Sequence, residues 1–362
     1  MRAMQLLGPS TGGIRVHVAT LAAELTALGV DAPVVGPAGV LDGLGPQAGV
    51  VAVPSALSPT ALLAARRELR PWRGPAQVVH AHGLKAAWVA LRGRPPRPLV
   101  VTVHNVVLDE SAGRAAGWQR RLERGVLARA DRVIAPTGAI AAGLDGVVPR
   151  DRVRVIVPAS PVPVLERSRR QVRAAIGVSD DTPLVTCVAR LHPQKDLPTL
   201  LRAWASTVAR VPDARLAVVG EGPERVALEA QCRVLGIDGS VDLVGFDHHA
   251  VDWIGAADVV ALSSVWEAIP LVLAEAMQLG VPVVSTDVGL AAELLGDGRA
   301  GQVAPVGDDE GLAAGMVRFL SDPAAAEAAG AAGRELAARR FDPGELSAAV
   351  ATVYEELAGV AR

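Results

Sequence analysis

At 362 residues, half of them hydrophobic and with a net charge of −2, the chain is too long for one ordinary core and suits two domains of α/β size. Apolar runs of Ala, Val and Leu are short and end at Gly or Pro, as parallel sheets covered on both faces require, and no unbroken run of about 18 apolar residues suggests a membrane span. Cys187 and Cys232 lack metal-ligand spacing and fit simple packing in a reducing compartment. Met1 to Gly8 reads straight into a strand with no signal peptide, which places the expected location in the cytoplasm. The small net charge hides an asymmetry: residues 1–165 hold 19 Lys and Arg against 10 Asp and Glu, and the remainder is acidic. An anionic partner is therefore expected on the amino-terminal side.

In chain order, residues 2–7 read as a strand. Pro9-Ser10-Thr11-Gly12-Gly13 follows, and then a helix from Ile14 to Leu28 with Val18, Leu21, Ala22 and Leu25 on one face. The glycine pair either lets the backbone approach a ligand or is simply a turn. Strands at 31–35 and 50–53 precede a helix from Pro59 to Arg70. The strand Gln77 to His80 leads to Ala81-His82-Gly83, and the strand Leu99 to Val103 leads to His104-Asn105. Both histidines stand at carboxyl ends of parallel strands, where open α/β sheets bind ligands, although a hydrogen-bonded structural histidine also fits there. Arg66 to Arg73 with Trp72, and Arg114, Trp118, Arg120, Arg121, Arg124 and Arg129 in a further helix, compose a basic, Trp-bearing surface. It suits an anionic lipid leaflet or a phosphate-bearing acceptor; the alternative is a solvated helix face with snorkelling arginines. Val153 to Val157 is the last strand before the proline-rich linker Pro158 to Pro163.

Beyond the linker come a helix from Arg169 to Ile176 and the strand Pro183 to Ala189, which runs into Arg190-Leu191-His192-Pro193-Gln194-Lys195-Asp196 and a helix from Leu197 to Ala209. Arg190 offers a bidentate fork to phosphate oxygens and Lys195, one of only two lysines, a point charge; together they suit a leaving diphosphate. The strands Leu216 to Gly220 and Val241 to Val244 run into Glu221-Gly222-Pro223-Glu224 and Gly245-Phe246. After the strand Asp258 to Leu262, a loop carries Glu267, and Pro270 opens a helix that Gly280 ends. The N–H groups of Leu271 to Leu273 then face back toward Glu267 as a phosphate cradle, with Glu275 one turn further on. Carboxylates beside an anion cradle suit a nucleotide sugar, whose hydroxyls they bind. Val281 to Ser285 is a strand, and 308–320, 323–339 and 343–361 read as three helices.

Nearly the whole chain resembles the retaining family 4 glycosyltransferases of the GT-B fold. Three ordered motifs carry the resemblance: Gly12-Gly13 followed by His17, Val18, Leu21, Ala22 and Leu25; Arg190 to Lys195 with its Pro-Gln-Lys; and Glu267 and Glu275 in a Glu-Ala-Met helix that continues through Gly280 to Pro282-Val283-Val284-Ser285-Thr286. The chain departs from the family at Ala159-Ser160, where Asn-Gly is usual, at Ala268-Ile269-Pro270 in place of Gly-Phe-Gly, and at Leu290, where a second glycine commonly follows Gly289.

The resemblance implies an α/β protein of two Rossmann-like, doubly wound parallel-sheet domains facing a cleft. Residues 1–160 would bind the acceptor, 161–345 the nucleotide sugar, and 346–362 would form a helix crossing back to the first domain. It assigns catalytic roles to His104 at the transferred sugar, Arg190 and Lys195 at the diphosphate, and Glu267 at the sugar hydroxyls. Gly12 and Gly13 would close on the donor phosphates, Ile269, Leu271 and Val272 would take the phosphate at the helix start, Glu275 the ribose, and Gly222, Gly245 and Phe246 would frame the base. No metal ligand set and no cofactor is expected, since Arg190 and Lys195 stand where a divalent cation would act. The expected activity is metal-independent transfer, with retention, from a UDP-, GDP- or ADP-sugar to a glycan or lipid-linked acceptor, in cell-envelope, glycoconjugate or secondary-metabolite synthesis. The expected setting is the cytoplasm or the inner face of an anionic membrane, without nucleic acid as a partner. Two alternatives remain: a GT-B nucleotide-sugar epimerase or hydrolase, and a catalytically weak nucleotide-sugar-binding subunit.

Overall fold

The computed structural model describes residues 1–9, 13–41, 49–54, 58–91, 96–104, 116–158, 160, 162–267 and 269–360. The chain divides into two compact units, Met1–Pro161 together with Phe341–Arg362, and Val162–Arg340.

In the first unit, β1 (Ala3–Leu7), α1 (Gly13–Ala27), β2 (Val34–Gly36), α2 (Ala38–Leu41), β3 (Gly49–Val50), α3 (Pro59–Arg73) and β4 (Val78–His82) come first. They are followed by α4 (Leu84–Ala90), β5 (Leu99–Thr102), α5 (Ala116–Leu127), β6 (Arg132–Ala135), α6 (Gly138–Gly143) and β7 (Val153–Val155). The strands pair in parallel in the order β3-β2-β1-β4-β5-β6-β7. Every residue of β1, β4 and β5 is buried, because helices cover both faces, so these strands are mostly apolar, with His80, His82 and Thr102 toward the carboxyl ends of β4 and β5. Gln5, in the middle of β1, is a polar exception.

The second unit contains α7 (Arg169–Ala174), β8 (Leu184–Val188), α8 (Leu197–Val208), β9 (Arg215–Val219), α9 (Arg225–Leu235), β10 (Val241–Gly245), α10 (Ala250–Ala256) and β11 (Val259–Leu262). Then come α11 (Leu271–Leu279), β12 (Val283–Thr286), α12 (Ala291–Leu294), β13 (Gly301–Ala304), α13 (Asp309–Ser321) and α14 (Pro323–Arg340). Its parallel sheet runs β10-β9-β8-β11-β12-β13. In both sheets the winding reverses beside the first strand, between β1 and β4 and between β8 and β11. A doubly wound sheet opens its crevice there, at the carboxyl ends of the strands.

The last helix, α15 (Pro343–Val360), belongs to the first unit, which resumes at Phe341. Val350, Val353, Tyr354 and Leu357 pack with Val18, Leu21 and Leu25 of α1 in one core. Among the described residues, no helix is long and apolar enough to cross a membrane.

The structure corrects several expectations. β2 and β3 are shorter than the predicted 31–35 and 50–53. α3 continues through Pro71 to Arg73, and the Gly74 N–H closes it on the Arg70 carbonyl. The helices α2, α4, α10 and α12 and the strand β13 were not anticipated. Two arginines of the supposed basic surface are committed to packing. Arg66 donates to the Trp88 and Val89 carbonyls at 3.0 and 3.3 Å, and buried Arg73 donates to the Ala90 carbonyl at 2.9 Å, so both cap the carboxyl end of α4. Burial, with Arg97 and Arg66 nearby, lowers Arg73 to about 10. Trp72 lies against Gly49, where a Cβ would come within 2.2 Å of its ring. Arg114 and the side chains of Trp118 and Arg120 lie outside the described residues.

Candidate functional site

The β8/β11 switch point gathers the charges of the second unit. After β8 the chain makes a short turn over Pro193–Lys195 and enters α8 at Asp196, whose backbone is left-handed, with φ +44°. A left-handed non-glycine costs on the order of 1–3 kcal/mol and persists only where its surroundings fix it. Here the Asp196 carboxylate accepts from the Thr199 hydroxyl at 2.6 Å. The loop after β11 is fastened to this turn. Ser263 Oγ donates to the Lys195 carbonyl at 2.8 Å, Val265 N to the Gln194 carbonyl at 2.9 Å, and Gln194 Nε2 to the Trp266 carbonyl at 2.9 Å.

Between the two loops, the Lys195 ammonium pairs with Glu267 Oε1, which also accepts from Ser264 Oγ at 3.0 Å. The pair is mostly shielded, with side chains 18% and 12% exposed, so its attraction is screened less than that of a surface pair. Arg190, at the end of the same strand, is exposed and makes no side-chain hydrogen bond or ion pair among the described residues.

The helix α11 starts one residue later than predicted. Pro270 is its extended N-cap, with φ −73° and ψ 104°, and the Leu273 N–H is taken by the Pro270 carbonyl at 3.0 Å. The cradle therefore reduces to the first N–H groups, those of Leu271 and Val272, which have no acceptor within the helix. Ile269 precedes it, partly buried, and Ala268 lies outside the described residues. Glu275 is half-buried without a hydrogen bond or ion pair among the described residues, and burial pushes its carboxyl up to about 7.

Glycines after β9 hold the cationic turn from behind. A Cβ at Gly222 would lie 2.2 Å from the Leu191 carbonyl oxygen, and Leu191 N donates to the Glu221 carbonyl at 3.0 Å. Gly222 is thus held in close packing on the Arg190–Lys195 turn. Gly245 is left-handed, with φ +91°, and Phe246 is 68% exposed, edge-on to His248 at 4.8 Å.

In the first unit, the β1/β4 switch point holds histidines. His82 ends β4, His104 follows β5, and His17 comes from α1; ring centroids of His17 and His82 lie 5.9 Å apart, those of His17 and His104 5.4 Å, and those of His82 and His104 5.6 Å. Burial lowers His17 to about 4 and His80 to about 3, and carries His82 and His104 well below the ordinary imidazole value, with neighbouring histidines adding to the effect in all but His17. His80 is fully engaged, Nδ1 with the Tyr354 hydroxyl at 2.6 Å and Nε2 with Thr102 Oγ1 at 2.7 Å. Gly13 opens α1; Gly12 and Asn105 lie outside the described residues.

Sequence reasoning missed Ser263, Ser264 and Gln194, which fasten the charged loops, and Gln5 and Tyr354, which fasten the histidines. The Ser-Ser step before Glu267 and the single polar residue in an otherwise apolar strand were the available signals for Ser263, Ser264 and Gln5.

Known proteins give this arrangement a family. The profile described as Glycosyltransferase Family 4 matches residues 11–159, and that described as Glycosyl transferases group 1 matches residues 168–336. N-acetyl-alpha-D-glucosaminyl L-malate synthase of Bacillus anthracis is 28% identical over 192 residues, 53% of this chain and 50% of that protein, so the match spans half the length of that relative. D-inositol 3-phosphate glycosyltransferase 2 of Catenulispora acidiphila is 32% identical over 305 residues, 76% of this chain and 70% of that one. The crystal structure of Anabaena Alr3699/HepE in complex with UDP-glucose shares the fold, with a TM-score of 0.84 at 22% identity over 99% of this chain and 100% of that one. With both profiles in order along two doubly wound sheets, the chain belongs to the family 4 glycosyltransferases of the GT-B fold.

Proposed function

We propose that the chain is a glycosyltransferase that moves a sugar from a nucleotide-diphosphate sugar to an acceptor hydroxyl, with retained anomeric configuration and without a metal ion at the diphosphate. The observation that carries this reading is the Lys195–Glu267 pair at the β8/β11 switch point, with Arg190 on the same loop exposed and without an ion pair among the described residues. A donor satisfies both partners at once. Its diphosphate takes Lys195 and Arg190, and its sugar hydroxyls take the released Glu267 carboxylate. Leu271 and Val272 offer N–H groups to the phosphate and Glu275 takes the ribose, while Gly245 and Phe246 border the base. His104 contacts the sugar, and Gly12 and Gly13 the phosphates, as in the family the chain resembles.

In the reaction, the bond from the anomeric carbon to the diphosphate oxygen breaks and the acceptor oxygen bonds to the same face of an oxocarbenium-like sugar. The acceptor proton passes to the departing diphosphate. Arg190 and Lys195 stabilise the charge that develops there, the role a divalent cation would otherwise fill.

The acceptor is an anion that meets the basic first unit. Residues 1–165 carry the excess of arginine, and the two curated relatives are named for L-malate and D-inositol 3-phosphate, both anionic. A lipid-linked phosphate at the inner face of a membrane is the other form such an acceptor takes.

A thermal-shift screen of UDP-, GDP- and ADP-sugars identifies the donor, because a ligand that binds only the folded state raises Tm. Transfer to anionic acceptors is then followed by NMR of the anomeric product in the presence of a chelator. An inverted product, or transfer abolished by chelation, overturns the proposal. Free sugar released with no acceptor glycosylated assigns the chain to nucleotide-sugar hydrolysis, and faster transfer with anionic vesicles that salt reverses identifies a membrane-borne acceptor.

A further inference from the structure

One ring nitrogen each of His17, His82 and His104 lies within 4.8 Å of the others, on side chains delivered by α1, the end of β4 and the segment after β5. A sugar contact at His104 does not require this convergence. The hydrogen bonds behind the cluster fix its chemistry. Gln5 Nε2 donates to the Ala3 carbonyl at 2.9 Å, which leaves Gln5 Oε1 facing His82 Nε2 at 3.0 Å. A carboxamide oxygen only accepts, so His82 holds its proton on Nε2 and presents the Nδ1 lone pair to His104 Nε2, 3.4 Å away. His17 is 4% exposed, and its Nδ1 is buried with no hydrogen-bond partner among the described residues.

This is the arrangement of a metal-ligating set with its outer shell. Ligating histidines characteristically donate their other N–H to an oxygen that fixes tautomer and ring orientation, as His82 does to Gln5. Zinc–imidazole bonds of about 2.0–2.1 Å at tetrahedral angles set neighbouring nitrogens roughly 3.4 Å apart, the His82–His104 spacing, and ring rotation closes the wider spans. Three protein ligands leave a fourth position open.

We propose that His17, His82 and His104 bind one divalent cation of the imidazole-preferring class, with Zn²⁺ and Co²⁺ as probes, and that occupation inhibits sugar transfer by taking up His104. The inhibitory half rests on the proposed role of His104 at the sugar; the cation site does not.

The untagged full chain is titrated with Zn²⁺ by calorimetry and with Co²⁺ by visible absorption, and transfer is assayed across the same Zn²⁺ range. The expected results are one ion per chain, a raised Tm, Co²⁺ ligand-field bands and a parallel loss of transfer. His17→Ala should weaken binding and inhibition together by at least tenfold, and Gln5→Leu, which leaves all three histidines in place but removes the oxygen that orients His82 along with the Gln5 bonds to Ala3 and Tyr354, should weaken both by about 10–100-fold. If His17→Ala does not fold, the wild-type chain and Gln5→Leu decide. No binding to the wild type at millimolar Zn²⁺, or binding unchanged in the variants, overturns the site. Stoichiometric binding with transfer unaffected overturns the inhibition and the sugar role of His104. Absence of transfer with every donor counts against the proposed function and leaves the Co²⁺ titration to decide the site.

Discussion

The Lys195 ammonium and the Glu267 carboxylate, 72 residues apart in sequence, neutralise one another across the loops that leave β8 and β11. A diphosphate that binds Lys195 competes with Glu267 for its charge, so the two residues have opposite effects on the nucleotide product. Lys195→Ala should lower kcat by about 10²–10³, the usual cost of losing one preorganised charge at a leaving group, and weaken nucleoside diphosphate binding. Glu267→Gln frees the cation and should tighten nucleoside diphosphate binding while transfer falls. Calorimetry and kcat on the two variants check this. Weaker product binding in both refutes the exchange.

Glu275 gives a stability signature with a definite sign. Its folded carboxyl is raised to about 7 by burial, from 4.5 for a free glutamate. Between these values the folded chain binds the proton more than the unfolded chain, so stability falls as pH rises through the window. The contribution is fully present below about pH 4.5 and lost above about pH 7. Glu275→Gln cannot ionise, so its Tm relative to the wild type should rise from pH 5 to pH 8. Donor hydroxyls favour the carboxylate form, so donor affinity should increase as pH rises through 7 in the wild type alone. Parallel Tm profiles for the two chains refute the assignment.

The charges of this site were legible because they stand on the loops that follow the carboxyl ends of apolar strands, Arg190 and Lys195 after β8 and Glu267 after β11. What they bond to was not, because each partner comes from a distant loop. Pro270 pointed to the start of α11 and missed it by one residue, since proline serves as N-cap as well as at the first helical position. Arg66 and Arg73 were read as surface by charge, yet both end on the carbonyls of α4, a helix the pattern did not reveal. Gly222 was expected at the base from the family resemblance; its close approach to Leu191 could not be read from the sequence, because Leu191 lies on another loop.

That contact makes Gly222 a test of loop position. A Cβ there would sit 2.2 Å from the Leu191 oxygen and 2.8 Å from its nitrogen, and these are backbone atoms that cannot swing away. Gly222→Ala should therefore displace the Arg190–Lys195 turn. A shift near 1 Å in a charge-positioning element costs up to about 10² in rate. Gly239→Ala, with nothing within 4 Å of its Cβ, is the control. The expected outcome is a kcat loss of at least tenfold in the first variant and none in the second. Equal activity in both refutes the role.

Tyr354 should separate stability from activity. Its buried hydroxyl lies 2.6 Å from His80 Nδ1 and 3.1 Å from Gln5 Nε2, tying α15 to β1 and β4. Tyr354→Phe leaves His80 Nδ1 buried and unpaired, a cost of about 1–3 kcal/mol, which for a unit of this size lowers Tm by several degrees. Gln5 keeps its bond to the Ala3 carbonyl, so its Oε1 still holds His82, and through His82 the orientation at His104 survives. Transfer at 25 °C should then stay close to wild type while Tm falls. Gln5→Leu breaks the link on the other side of the hydroxyl and should disturb His82 directly, lowering transfer more than Tyr354→Phe does. Tm and kcat measured on both variants check the ordering, and a Tyr354→Phe chain that loses activity without losing stability refutes it.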